Sequence, residues 1–304
     1  MTGVFSLKLE QFGLSPLIIG AGRVTVAALA GAVLFGLTPR KMHTDWWVSR
    51  KDWPLLLVNG ILGVSLFHFS YLSTIHQVGM GLAAILMYTK PAFVLALARC
   101  LIGESITWLK VISLGLTLSG IALVINLPEI WQTGTLQITA AGVLTGLIAG
   151  FAGGLFATLN KALMRNHPPL KVNAYNLLIG AAGLWLFAAV GELSGLQPFP
   201  AAEGAVPPGP GSTAVVWLLA MGIVTTFLPY LFYVWGLQWI GAGQANVIAG
   251  IEPVVAMIMG IMLFAEQLSP WQWVGSCLVI AAAVLVSRPE DQTQRKRQWL
   301  TKEG

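Results

Sequence analysis

The chain is a succession of apolar runs, each close to the length of a membrane-crossing helix and almost free of charge. Spans are expected at 15–37, 54–76, 80–101, 108–126, 138–160, 173–193, 214–239, 243–264 and 271–287, and residues 1–9 have the composition of the tail of one more. About 20 apolar residues suffice to cross the hydrocarbon core as a helix. Only 10% of the side chains are charged, against about 25% in a soluble domain, so charge is too scarce to cover a water-facing surface. Lipid offers no partner to a backbone N–H or C=O, which leaves the helix as the structure for runs of this length. The fold class is an all-α polytopic membrane protein, with the lipid bilayer as its first partner.

Lys and Arg concentrate in cytoplasmic loops of such proteins. Here Arg40, Lys41, Arg50 and Lys51, then Lys161, Arg165 and Lys171, then Arg288, Arg295, Lys296, Arg297 and Lys302 occupy one set of connections, while 127–137 and 194–213 carry no basic residue. The parity predicts a cytoplasmic C-terminus and an external 194–213 loop. Trp46, Trp47, Trp53, Trp108, Trp131, Trp217, Trp239, Trp271 and Trp273 fall near span ends, where an aromatic belt sits.

Displacing the sequence by 162 residues places Gly60 on Gly222, Tyr71 on Tyr233, Gly79 on Gly241, Pro91 on Pro253 and Glu104 on Glu266. From 60 to 124 no gap is needed, and 13 of 65 residues are identical. That fraction is modest for so biased a composition, so the weight falls on which residues match. The stretch "GVFSLK" at 3–8 also resembles "GLFATLNK" at 154–161, but only the second is preceded by a long apolar run. The expectation is two five-helix repeats, the first truncated within its first helix: residues 1–126, then 138–287, with 288–304 a cytoplasmic tail. Five helices per copy make the second copy enter from the opposite side, the inverted-repeat plan of many secondary transporters.

Within the spans, "YTKP" places Lys90 before Pro91, and the displacement carries this pair onto Glu252 and Pro253. Proline removes a helix hydrogen bond and disfavours helical geometry at the residue before it. Pro91 and Pro253 are therefore expected to kink their helices and to free carbonyls near Met87 and Ala249. Lys90 and Glu252 either neutralise each other or line a translocation cavity, binding substrate or a coupling proton. Arg23 either snorkels to an interface or anchors an anion. His68, which superposes on Tyr230, is a hydrogen-bonded core residue or a proton carrier. Tyr88 and Asn246 complete the candidate pathway, and Glu104 and Glu266 read as end-caps or gate residues. Gly142, Gly146, Gly150 and Gly154 recur every fourth residue, a face for close helix packing inside the bundle or along a dimer seam. Cys100 and Cys277 read as small core residues.

Other chemistries find no support in the residues. There is no P-loop or metal-ligand pattern, the four histidines are scattered, and no basic face with stacking aromatics suggests nucleic acid. No catalytic residue, metal or cofactor is expected.

The repeated central proline, the Gly/Ala-Glu helix ends and the final "W.....G" helix resemble the EamA-like branch of the drug/metabolite transporters. "GLSPLIIGAGR" is similar to its second helix and "GAGQANVIAGIEPVVAMIMGIMLFAEQLSPWQWVG" to its ninth and tenth. The resemblance covers nearly the whole chain. It implies a permease for a small-molecule substrate, an amino acid or related compound, exported or exchanged by alternating access as a monomer or homodimer, with proton or counter-substrate coupling. A lysine before the first proline departs from the small or polar residue of the family pattern, and suits an acidic or zwitterionic substrate or an internal ion pair. A passive channel or facilitator on the same scaffold is the first rival; a membrane-embedded enzyme or an assembly protein is the second.

Overall fold

The computed structural model describes residues 5, 8–37, 47–132, 139–193, 213–255, 258 and 269–287. Among these the regular structure is entirely helical. The main helices are α1 (Pro16–Leu37), α2 (Trp53–Gly79), α3 (Leu82–Ile102), α4 (Trp108–Val124), α5 (Ala140–Leu163), α6 (Pro169–Leu193), α7 (Thr213–Gly236), α8 (Ala242–Ala249) and α9 (Pro270–Val286), with a short helix, Leu127–Gln132, between α4 and α5. Six of them, α1, α2, α3, α5, α6 and α7, are long and apolar enough to cross a membrane, and α4 and α9 are shorter apolar helices. The protein is a multi-pass membrane protein. The basic residues before Trp47, the 194–212 connection, Glu266 and the C-terminal tail lie outside the described residues.

Local chemistry sets the helix ends. Thr139 caps α5 by accepting from the Gly142 amide at 3.1 Å, and Ser269 with Gln272 forms a reciprocal capping box at the start of α9, satisfying amides that have no partner within the helix. Gly79 adopts φ 79° between α2 and α3, and Gly103 takes φ 71° after α3; side chains with a Cβ rarely adopt that region. Lys161 donates to the carbonyls of Leu237 and Ile240, Arg165 to Ile102 (3.0 Å) and Lys171 to Trp47 (2.7 Å). The first two carbonyl groups lie just past α7 and at the end of α3. Basic residues that the topology rule places at one membrane face thus also satisfy backbone acceptors there.

Two compact units partition the chain. One contains residues 1–105 and 127–246, and the other 106–126 and 247–304. In the first, α5 runs through the packing with its glycine face turned inward. A Cβ on Gly146 would meet Leu86 at 2.6 Å, one on Gly150 the Thr89 hydroxyl at 2.5 Å, and one on Gly154 the Phe93 Cβ at 2.8 Å. The stripe therefore serves packing against α2 and α3, the first of its two expected uses. In the second unit, α4 and α9 touch backbone to backbone: a Cβ on Gly120 would lie 2.8 Å from the Gly275 carbonyl, and one on Gly275 2.5 Å from that of Gly120.

The sequence displacement recurs in the helix boundaries. α4 and α9 begin and end 162 residues apart. A wide π-helical segment spans Asn59–Leu66 in α2, and another spans Gly222–Phe227 in α7. Gly60 of α2 abuts Ile179 and the Asn176 carbonyl of α6, while Gly222 of α7 abuts Val26 and the Arg23 carbonyl of α1. Arg23 and Val26 precede Asn176 and Ile179 by a common 153 residues, so each glycine meets a pair of residues spaced three apart on its neighbouring helix.

Cys100 and Cys277 depart from expectation, since both are exposed on the outer surface rather than in the core. Where a helix is apolar all round, residue type does not distinguish its lipid face from its packed face.

Candidate functional site

α3 is interrupted by a turn at Tyr88–Thr89, immediately before Lys90 and Pro91, and the chain turns again at Gly250–Ile251 before Glu252 and Pro253. At the first turn the Thr89 hydroxyl donates to the Leu86 carbonyl at 2.6 Å, replacing part of the helix ladder. Resumption of the helix sends Lys90 across α5 at Gly153, where a Cβ would lie 2.6 Å from the lysine Cδ. The ammonium then sits 5.4 Å from the ring centroid of Tyr233 in α7, within cation–π range. From the other side, the Asn246 amide of α8 donates to the Tyr233 hydroxyl at 2.6 Å and to the Ala242 carbonyl at 2.9 Å. Asn246 is 1% exposed and its Oδ1 has no partner.

Phe67 links this group to a second one. It borders Gly153, stacks on Tyr71 with centroids 6.2 Å apart and meets His68 edge-on. Arg23 of α1 is half-buried, within electrostatic reach of Tyr71, Tyr230 and His68. The His68 ring donates through Nδ1 to the Val64 carbonyl at 2.8 Å, and Tyr230 packs edge-on against Phe156 at 5.2 Å. The first unit thus brings Lys90, Asn246, Arg23, His68 and Tyr230 into one polar and aromatic zone, with two cationic side chains. Tyr88 is half-buried in the turn that interrupts α3. Glu252 is exposed and belongs to the second unit, as does buried Pro253. Glu104 accepts from the Ala242 and Gly243 amides at 3.0 and 3.4 Å and so caps the start of α8.

Tyr233 and Gly153, the neighbours of Lys90, are residues that the sequence reading passed over. Tyr233 was visible as the repeat partner of Tyr71, whereas Gly153 stands outside the every-fourth stripe and carries no signal of its own. A buried asparagine group, Asn59, Asn160, Asn173 and Asn176, was also passed over; asparagine inside an apolar span is the signal that could have found it.

The fold and this charged, aromatic zone define a polytopic membrane protein with a polar interior. The model of the EamA-like transporter family matches residues 1–126 and 140–288, and the chain belongs to that family. Among relatives, two uncharacterized transporters of Archaeoglobus fulgidus are 27% identical over 236 residues (75% of this chain, 76% of the relative) and 26% identical over 286 (93% and 92%). The uncharacterized inner membrane transporter YicL of Salmonella typhimurium is 24% identical over 271 residues, covering 87% of this chain and 84% of its own. One crystal structure superposes with a TM-score of 0.72 at 17% identity, over 94% of this chain and 92% of that one, a likeness of fold alone.

Proposed function

We propose that this chain is an alternating-access permease of two inverted five-helix repeats, 1–126 and 138–287, with 288–304 a cytoplasmic tail. In this reading it resides in a bacterial inner membrane and moves an amino acid or related metabolite outward, coupled to a proton or counter-substrate. The glycine contacts of α2 on α6 and α7 on α1 support the inverted arrangement. The observation that carries the transport reading is Lys90 at a helix interruption, held over Tyr233 while buried Asn246 engages the same tyrosine. Membrane-embedded charge is costly and marks substrate or ion pathways, and interrupted helices form the sites of inverted-repeat transporters. Two cations with amide and phenol groups suit a substrate bearing a carboxylate and hydrogen-bonding groups.

Counterflow in proteoliposomes tests this. Vesicles preloaded with each member of an amino-acid panel should accelerate uptake of the labelled form for at least one compound, and Lys90→Met should raise the substrate concentration that this requires. A channel conducts without trans-acceleration, so passive flux alone would replace the carrier reading with the facilitator one.

A further inference from the structure

On the face of α5 that meets Lys90, the sequence continues Gly153, Phe156, Asn160, and at 1.5 Å per residue Asn160 lies about 10 Å nearer the basic end of the helix. Asn160 donates to the Phe156 carbonyl at 2.7 Å and accepts from the Asn176 amide of α6 at 3.0 Å. A Cβ on Gly63 of α2 would lie 3.0 Å from Phe156 Cβ and 2.7 Å from Asn59 Oδ1. Since α2 and α5 run antiparallel in the spans assigned above, the pairing of Gly63 with Phe156 sets Asn59 opposite Asn160. Asn59, Asn160 and Asn176 therefore meet where α2, α5 and α6 join, and Asn173 stands one turn from Asn176. All four are 0% exposed. Both side-chain polar atoms of Asn59 and of Asn173, and Asn176 Oδ1, have no partner.

An unpartnered buried amide carries its full desolvation penalty, so five such atoms at one junction mark a position that serves a second arrangement of the helices. The packing there suits movement. Gly60 and Gly63 of α2 face α6 and α5, and Gly180 and Gly183 of α6 face Val64 and Ser65; α2 crosses the junction in its π-helical segment, a turn type frequent at functional sites. On α5, between this junction and Lys90, stands Phe156, ring against ring with Tyr230.

We propose that Asn59, Asn160 and Asn176, flanked by Asn173, form a second polar station of the permeation path, closed in this structure and opened to water when α2 separates from α5 and α6. Its mixture of donors and acceptors without a charged side chain matches the neutral hydrogen-bonding portion of a polar solute, not a bare ion. The inference rests on the transport reading above and places the path's basic-end opening between these three helices.

The test is thiol accessibility in membrane vesicles, with Cys100→Ala and Cys277→Ala as background and a small water-soluble methanethiosulfonate as probe. Asn59→Cys and Asn176→Cys should react at least tenfold faster than Leu177→Cys and Val24→Cys, which are equally buried but apolar. Equal rates at all four positions overturn the proposal. Tyr233→Cys, at the Lys90 site, separates the two readings: if it reacts while Asn59→Cys does not, this station is refuted alone, and if neither reacts the transport path falls with it. In a second measurement, Asn59→Leu should raise thermal stability yet slow labelling at Asn176→Cys, because an apolar junction holds the closed arrangement. Faster or unchanged labelling in that variant also overturns the proposal.

Discussion

Lys90 and Asn246 approach one tyrosine from two helices, and each position responds to a different change. Lys90→Met removes a charged donor, an interaction worth about 1.5–3 kcal/mol, so substrate affinity should fall roughly ten- to hundredfold in a binding or counterflow assay. Pairing it with Glu252→Gln separates two roles. A well-folded but inactive double variant assigns the lysine to substrate, whereas full transport shows that the two charges serve only to offset each other. Gly153→Ala leaves every charge in place but pushes a methyl group to 2.6 Å from the lysine Cδ. It should reduce transport severalfold with little change in melting temperature, and unchanged transport would show that the lysine's path across α5 is not critical. Glu104→Ala acts on stability instead, because it uncaps α8; loss of such a cap is worth about 1–2 kcal/mol. Thermal melting in detergent should report it, and Glu104→Gln, which keeps an acceptor, should be milder. These assignments were unevenly legible. A lysine in an apolar span stands out in any reading of the chain, but which tyrosine it reaches depends on how α3 and α7 approach across Gly153.

At the scale of helices, glycine decides how near two backbones come. A Cβ on Gly275 would lie 2.5 Å from the Gly120 carbonyl, 2.7 Å from the Leu123 Cβ and 2.7 Å from the Val124 amide, and backbone atoms cannot move aside as a flexible side chain can. Gly275→Val should therefore force α4 and α9 apart, lowering folded yield and destabilising by about 1–3 kcal/mol or more. Gly115, on the same helix α4, has nothing within 4 Å of its virtual Cβ. Gly115→Ala should be tolerated and stabilising by about 0.5–1 kcal/mol through helix propensity. Equal effects at the two positions would refute this account of the pair. Spacing alone made the α5 stripe visible, yet left open whether it met its own bundle or another copy. The packing of Gly146 on Leu86 and Gly154 on Phe93 answers that within one chain.

For the whole molecule, the distribution of Lys and Arg predicts sidedness. In a background lacking both cysteines, Asn166→Cys should react with an impermeant thiol reagent only from the cytoplasm, and Ser212→Cys only from outside. Labelling of Ser212→Cys from the cytoplasm alone would reverse the topology. The sequence by itself established the membrane class, six of the expected spans and the recurrence at 162 residues, because membrane helices follow from local composition: each apolar run must satisfy its own backbone wherever it lies. Tertiary structure alone decided which polar groups meet. Asn59, Asn160 and Asn176 are separated by up to 117 positions along the chain and share a junction only because α2, α5 and α6 pack on glycines. The outward exposure of Cys100 and Cys277 has the same origin. On helices that are apolar on every side, composition says that a residue is in the membrane, and only the neighbouring helix says which way it faces.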